Sequence, residues 1–235
     1  MYFESNIITN QLKFYIVLQG VMKTDLRDKI IQTALLLFEE KGYHGVSIKE
    51  IVETAGTSKG GFYHHFSSKD ELLYVIHDIF ITYAIENAKV AAQSYEKPKE
   101  QIQAIVKGFV GVFHVYKPHL SVFYQEAIYL QPKYEEIIRK KRDEFRLIIR
   151  DVVKAGKEQG EFREELEVDI VVMAILGMVN WIYKWYDREG KKSISQIADI
   201  FTDFILHAIL KHDLLEHDTY KSLLLEPFYF TKMQN

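Results

Sequence analysis

The chain has 235 residues, 48% of them hydrophobic and 14% aromatic, enough to bury one large core or two small ones. Lys and Arg number 30 against 33 Asp and Glu, so a net charge of −3 excludes coating of nucleic acid or acidic membrane by overall charge, and any basic surface must be local. The absence of cysteine removes disulfides, thiolate nucleophiles and Cys-based metal sites, and fits a reducing cytoplasm.

Residues 1–22 carry Glu4 where a signal peptide would be basic, and their apolar run Phe14 to Leu18 is too short to span a bilayer. They read as a leader or poorly ordered extension ahead of the body, or as an extra helix packed on it. From Asp25, the apolar positions Leu26, Ile30, Ile31, Ala34, Leu35 and Phe38 follow one helix face, ending at Gly42. Ser47-Ile-Lys-Glu50 has the form of a capping box, so a second helix starts there and stops at Gly56. Thr57 or Ser58 can cap a short third helix, and Ser68-Lys-Asp-Glu71 is a second capping box that opens a long fourth helix toward Ser94. Pro98, Pro118, Pro132 and Pro227 fall where periodic segments start or stop, and no period-two pattern persists. The chain reads as all-α.

Two short helices joined by a Gly-containing turn, with a longer helix on each side, have the layout of a helix-turn-helix DNA reader. The chemistry of the second short helix sharpens that reading. From Thr57 to Lys69 there are Lys59, Tyr63, His64, His65, Lys69 and three serines, with no acidic residue. Such side chains donate to phosphate oxygens. Lys23 to Leu72 as a whole has seven Lys/Arg and eight Asp/Glu, so the positive surface is expected as a face only. Phe62 and Phe66, four apart, are expected in the core. The adjacent His64 and His65 diverge on a helix and do not share a metal ion. Gly60 and Gly61 cost a helix about 1.6–2 kcal/mol relative to alanines, which a reader repays if its backbone approaches the groove floor.

The run VSIKEIVETAGTSKGGFYHHFSSKDELL, Val46 to Leu73, is similar to the DNA-binding region of the TetR family of bacterial regulators: a capped helix, Ala-Gly-x-Ser-Lys-Gly, an apolar residue, Tyr, one variable position, His-Phe, then Lys-x-x-Leu. The match covers Asp25 to Ile79. The resemblance implies an all-α homodimer with a helix-turn-helix domain over residues 23–83 and a helical effector-binding and dimerisation domain over residues 84–235. It suggests Ser47, Tyr63, His65 and Lys69 toward phosphates, and Lys59, Gly60, Gly61 and His64 toward base edges, with Ser58 at the start of the reading helix. Many relatives carry Thr where Gly61 stands, so a side-chain contact from that position is absent here.

Beyond Leu73 the aromatics cluster at helical spacing: Phe80 and Tyr83; Phe109, Phe113 and Tyr116; Phe123, Tyr124 and Tyr129; Phe145. Plain core packing explains most of them. Gly108 and Gly111 inside a good helix, Pro118 and Pro132 around a short segment, and the polar Gln125, Glu126 and Asn180 are what a lined cavity needs. Ala174 to Leu210 gives two amphipathic helices, with Ile175, Met178, Val179, Ile182 and Tyr186 on one and Ile197, Ile200, Phe201, Phe204, Ile205 and Ala208 on the other. In the family such helices pair with their symmetry mates as a four-helix bundle. The pattern Gly-x-x-Asn-Trp-x-x-x-Trp-Tyr, Gly177 to Tyr186, is similar to TetR-family repressors of acyl-CoA degradation, which implies an acyl-CoA effector. Asn180 and Trp181 then join the aromatic set around the acyl chain, with Arg139, Lys140, Lys141, Arg142 or Arg146 near its phosphates. A solvated helix face explains that basic run equally well.

The expected function is a ligand-responsive DNA-binding transcriptional regulator: a cytoplasmic homodimer on a palindromic operator, released by a small hydrophobic effector, with no membrane, metal or cofactor involved. Two alternatives are a helical lipid or acyl carrier without DNA binding, and an all-α enzyme. The enzyme lacks any nucleophile, Gly-rich phosphate loop or metal-ligand spacing. The last segment holds Leu214, Leu215, Leu223, Leu224 and Phe228, which can clamp an extension onto the body or a partner subunit.

Overall fold

The computed structural model describes residues 25–115, 117–187 and 189–215. Tyr116, the leader and the tail residues Leu223, Leu224 and Phe228 lie outside them. The described chain is helical: α1 Leu26–Gly45, α2 Ile48–Thr54, α3 Lys59–His65, α4 Lys69–Ser94, α5 Pro98–Val115, α6 Lys117–Gln125, a 3-10 turn Ala127–Tyr129, α7 Pro132–Glu158, α8 Val168–Asn180, α9 Ile182–Trp185, α10 Ile194–Ile209 and α11 His212–Leu215. Among the described residues, extended pairing is limited to a single bridge between Phe162 and Leu210.

The described chain divides into two compact units, residues 25–87 with 112–145, and residues 88–111 with 146–215. In the first, α1 packs on α2, α3 and α6, and α2 packs on α3. Ile30, Ile31, Ala34, Leu35 and Phe38 of α1 are buried with Ile51, Phe62, Phe66, Leu72, Leu73 and Ile76. This is the face that the spacing of α1 predicts, and it is why a seven-residue helix such as α3, too short to be stable alone, keeps its position. Gly42 breaks the regular geometry of α1 at φ 71°, and Gly56, at φ 63°, makes the turn between α2 and α3.

Four helix starts show how local signals became structure. Ser47 and Ser58 cap α2 and α3, each hydroxyl accepting an amide hydrogen bond at 3.1 Å, from Glu50 and Gly61. The return halves of the two expected boxes go elsewhere. Glu50 takes the Lys41 ammonium at 2.6 Å, and Glu71 accepts from the Ser67 amide and hydroxyl at 2.6 and 2.5 Å while its own amide is capped by Ser68. Ser193 and Gln196 at the start of α10 form the complete reciprocal box.

In the second unit α8 packs on α9 and α10. Val172, Ile175, Val179, Ile182, Ile197, Ile205 and Leu206 form its core together with Phe162. A Cβ on Gly156 would lie 2.1 Å from the Phe162 ring, so that glycine in α7 is the seat of a fully buried aromatic. The predicted apolar stripes split. Ile170 is 70% exposed, Trp181 60% and Phe204 64%, with Met173 and Ile200 exposed beside them. The window Val168 to Trp185 has the length and composition of a membrane span, with mean hydropathy 1.4 and only 22% of it buried. Asp169 within it meets Arg150 at 2.9 Å, and the helix stops at Asn180 and restarts at Ile182.

Candidate nucleic-acid interface

The third helix has two faces. Phe62 and Phe66 are 0% and 2% exposed, 5.6 Å apart ring to ring, and they anchor one side. Lys59, Gly60, Tyr63 and His64 are exposed on the other, in two pairs four residues apart, while Gly61 and His65 are half-buried between them. The outward face carries an ammonium, a phenol hydroxyl and an imidazole, and no carboxylate.

The two glycines have different roles. A Cβ on Gly61 would stand 2.5 Å from Thr57 Oγ1 and 3.3 Å from Leu26 Cδ2, so Gly61 turns inward and lets α3 close on Thr57 and α1. A Cβ on Gly60 would meet nothing nearer than Ser58 Oγ at 3.6 Å. Of the pair expected at the base edges, Gly60 has the open side.

Lys69 faces the protein as well as its surroundings. Its ammonium donates to the carbonyl oxygens of Tyr43 and Val46, both at 2.8 Å, and sits 4.1 Å from the centre of the Tyr43 ring. Burial holds its pKa below the usual lysine range. Two of its three donors secure the end of α1 to the start of α4, leaving one for a phosphate. Ser47 is exposed at the α2 cap, its hydroxyl lone pairs shared with the Glu50 amide.

Tyr43 is a residue that sequence reasoning misses. It is 4% exposed; its hydroxyl donates to Asp70 at 2.7 Å, its amide donates to Glu126 at 3.2 Å, and its ring stacks on Tyr129 at 5.8 Å. Burial, then Asp70, raise the phenol's pKa well above the ordinary value. Through it the end of α6 and the 3-10 turn hold the end of α1 and the start of α4. No periodic pattern marks such a residue, because it closes a junction and lines no stripe.

The described residues of the expected effector set fall in both units. In the first unit Phe80, Phe113, Phe123 and Phe145 are buried and Tyr83 and Tyr124 half-buried, with Phe80 and Phe123 in edge contact at 4.6 Å. Glu126 is spent on Tyr43, and Tyr129, 36% exposed, lies against His44 at 4.2 Å. Both belong to the junction. In the second unit Phe109 is buried, Asn180 half-buried and Trp181 exposed. Cβ atoms on Gly108 and Gly111 would meet nothing within 4 Å. Most of the basic run is paired: Arg139 with Glu136 and Asp143, Lys140 with Glu136, Lys141 with Asp78, and Arg146 with Asp169. Arg142 lies over the Phe123 ring at 4.6 Å. Beneath that ring His77 is fully buried, Nδ1 on the Leu73 carbonyl at 2.9 Å, and burial pushes its pKa down to about 4.

A short capped helix presenting donors, held by a glycine turn against a second short helix in an all-helical chain, defines a helix-turn-helix DNA reader. Residues 30–75 match the family of bacterial regulatory proteins, tetR family, and residues 95–209 match the tetracyclin repressor-like C-terminal domain. The structure of the TetR family transcriptional regulator PfmR from Thermus thermophilus is 30% identical, with a TM-score of 0.72, over 76% of this chain and 97% of that one. The HTH-type transcriptional repressor KstR2 of Mycobacterium tuberculosis is 25% identical over 188 residues, 79% of this chain and 93% of the relative. AibR, solved in complex with isovaleryl coenzyme A and operator DNA, shares the fold at 24% identity and a TM-score of 0.70, over 77% of this chain and 97% of that one. The chain belongs to the TetR family: it is a ligand-responsive, DNA-binding transcriptional regulator.

Proposed function

We propose that the protein is a homodimeric repressor that sets two copies of α3 into successive major grooves of a palindromic operator, about 34–36 Å apart, and leaves it on binding a small hydrophobic effector of the acyl-CoA class. The observation that carries the reading is the outward face of α3. Lys59, Tyr63 and His64 project from it with no carboxylate to repel a polyanion. In this reading Ser47, Tyr63, His65 and the third donor of Lys69 contact phosphates, while Lys59, His64 and the bare backbone at Gly60 meet base edges.

The exposed stripe of Ile170 and Met173 on α8, Trp181 at its C-terminal end, and Ile200 and Phe204 on α10 supports a second copy as the partner of the other unit. An apolar surface of that kind has no reason to remain in water. KstR2 is a ketosteroid transcriptional regulator and AibR is bound to isovaleryl coenzyme A, which favours an effector joining an apolar body to coenzyme A. Action on operator DNA puts the protein in the cytoplasm. The Tyr43 junction fits the coupling step: a shift of α6 changes the footing of α1 and α4, hence the angle of α3. By reciprocity, operator must weaken effector binding by the same factor as the effector weakens operator binding, about 5–150-fold.

A gel shift with the protein's own upstream DNA tests this. A duplex retained at low salt and released by an acyl-CoA series is expected. Retention by no duplex from that locus, with or without acyl-CoA, sinks it in favour of a helical acyl carrier.

A further inference from the structure

One cation in the basic run of α7 stands apart from the others. Arg139, Lys140, Lys141 and Arg146 each meet a carboxylate, at 2.8, 3.3, 2.5 and 3.9 Å. Arg142 has no such partner among the described residues. Its guanidinium lies over the Phe123 ring, 4.6 Å from the centre, and the exposed Glu135 acts on it only at longer range. Part of the residue reaches the surface, while burial against the ring holds its pKa below the usual arginine range. A guanidinium has five N–H donors, and a ring face attracts its charge without offering them a lone pair. Arg142 is therefore a charge partly withdrawn from water with no anion to meet.

The same ring covers a second unmet group. His77 of α4 is fully buried, its ring centre 5.2 Å from that of Phe123. Nδ1 lies 2.9 Å from the Leu73 carbonyl, and because a carbonyl can only accept, the neutral imidazole carries its proton there. Nε2 then presents a lone pair, and it has no hydrogen-bond partner among the described residues. The Phe123 carbonyl, close enough to favour a proton on the ring, is a further acceptor beside it. Folded cores leave few such groups unmet. A buried water can supply the missing donor, but it cannot supply the anion that Arg142 lacks.

We propose that the corner formed by Arg142, Phe123 and His77 receives the polar part of the effector, Arg142 binding an anionic carboxylate or phosphate and His77 Nε2 accepting from a ligand N–H or O–H. This rests on the effector-controlled reading above and names the residues of its polar contact. A coenzyme A thioester carries both kinds of group, phosphates and amide N–H. The planar guanidinium grips such an anion through two parallel hydrogen bonds, and in turning toward it uncovers Phe123, now 3% exposed, for the apolar part of the ligand. Phe123 lies three residues before Glu126, whose carboxylate accepts the Tyr43 amide at 3.2 Å. Ligand contact at Arg142 thus bears on the turn of the chain that supports α1.

Calorimetric titration of the full-length protein with decanoyl-CoA, decanoate and decyl phosphate tests the site. Arg142→Gln is expected to weaken decanoyl-CoA binding by about tenfold or more, and Arg142→Lys, which keeps the charge and loses the fork, by less. Arg139→Gln, at a neighbour already paired with Glu136, is expected to change it by less than about twofold. The 15N resonance of His77 Nε2 should move toward the protonated range as decanoyl-CoA saturates the native chain; a resonance that stays in place overturns the role of His77. Equal decanoyl-CoA affinity in the native chain and Arg142→Gln overturns the site and leaves the acyl-CoA reading standing. Decanoate or decyl phosphate bound, and lost in Arg142→Gln, with no binding of decanoyl-CoA keeps the anion site and overturns the acyl-CoA reading. A native chain that binds none of the three overturns both.

Discussion

The α2–α3 reader and the α8–α10 face both leave one side of a helix exposed among the described residues, and they leave it in opposite chemistries. On α3 the exposed groups are Lys59, Tyr63 and His64, side chains that lose little in water and gain on meeting a polyanion. On α8, its C-terminal cap and α10 they are Ile170, Met173, Trp181 and Phe204, which water penalises whenever they stand open. The first surface can wait for its partner indefinitely; the second has to be covered for the molecule to be well behaved. An exposed face therefore names its partner by what its exposure costs. Operator binding should come and go with salt, whereas subunit pairing should not.

The largest effect should follow from breaking the apolar face. Phe204→Asp removes nothing from the subunit's own core, since the ring is 64% exposed, and should yield monomers in sedimentation with operator affinity down by about 10²–10⁴-fold as bivalency is lost. A dimer of unchanged affinity would mean that the stripe is not the interface.

Next comes the support beneath the reader, where the first unit carries a titratable group in its core. His77 is neutral when folded because burial lowers its pKa from 6.5 to about 4. Above pH 6.5 neither state is protonated and stability is unaffected by it. As pH falls from 6.5 toward 4 only the unfolded chain takes up the proton, so stability is lost progressively, by about 3 kcal/mol in all. Urea midpoints measured across that window should drop in the native chain and drop less in His77→Phe. Parallel slopes for the two would place the pH sensitivity elsewhere.

Smaller effects separate roles on α3 itself. Lys59→Ala and His64→Ala should each cost about 1–3 kcal/mol at cognate base pairs and relax preference there, while Tyr63→Phe weakens all sequences alike. Uniform losses for His64→Ala across operator variants would make it a phosphate ligand. Least of all, Gly60→Thr should change sequence preference with the fold intact, whereas Gly61→Thr must first turn Thr57 aside from a 2.5 Å contact and should show as lost thermal stability. The reverse pattern would exchange the roles of the two glycines.

The reader was the legible half. Helix boundaries, the Ser47 and Ser58 caps and the burial of Phe62 and Phe66 are decided within a few residues, so spacing and capping chemistry suffice. The junction was not legible, because Tyr43, Lys69, Asp70 and Glu126 come from separate parts of the chain and no period connects them. The Ser193–Gln196 box was in plain sight and its signal was the same as that of the boxes at Ser47 and Ser68. The spacing of the aromatics fixes which residues share a face and leaves open what that face meets: Phe80 and Phe123 are buried against each other, whereas Tyr129 is 36% exposed.

By itself the sequence determined an all-helical chain, the position of its reading helix and the donor chemistry of that helix, since these rest on near-neighbour sterics, caps and hydrogen-bonding capacity. Only the tertiary structure decided which glycine faces out, that two of the donors of Lys69 are spent on the Tyr43 and Val46 carbonyls, that Glu126 serves Tyr43, and which apolar residues are exposed among those described. Those outcomes depend on which groups distant in sequence arrive at the same point in space, and close packing, unlike periodicity, admits only one set of them.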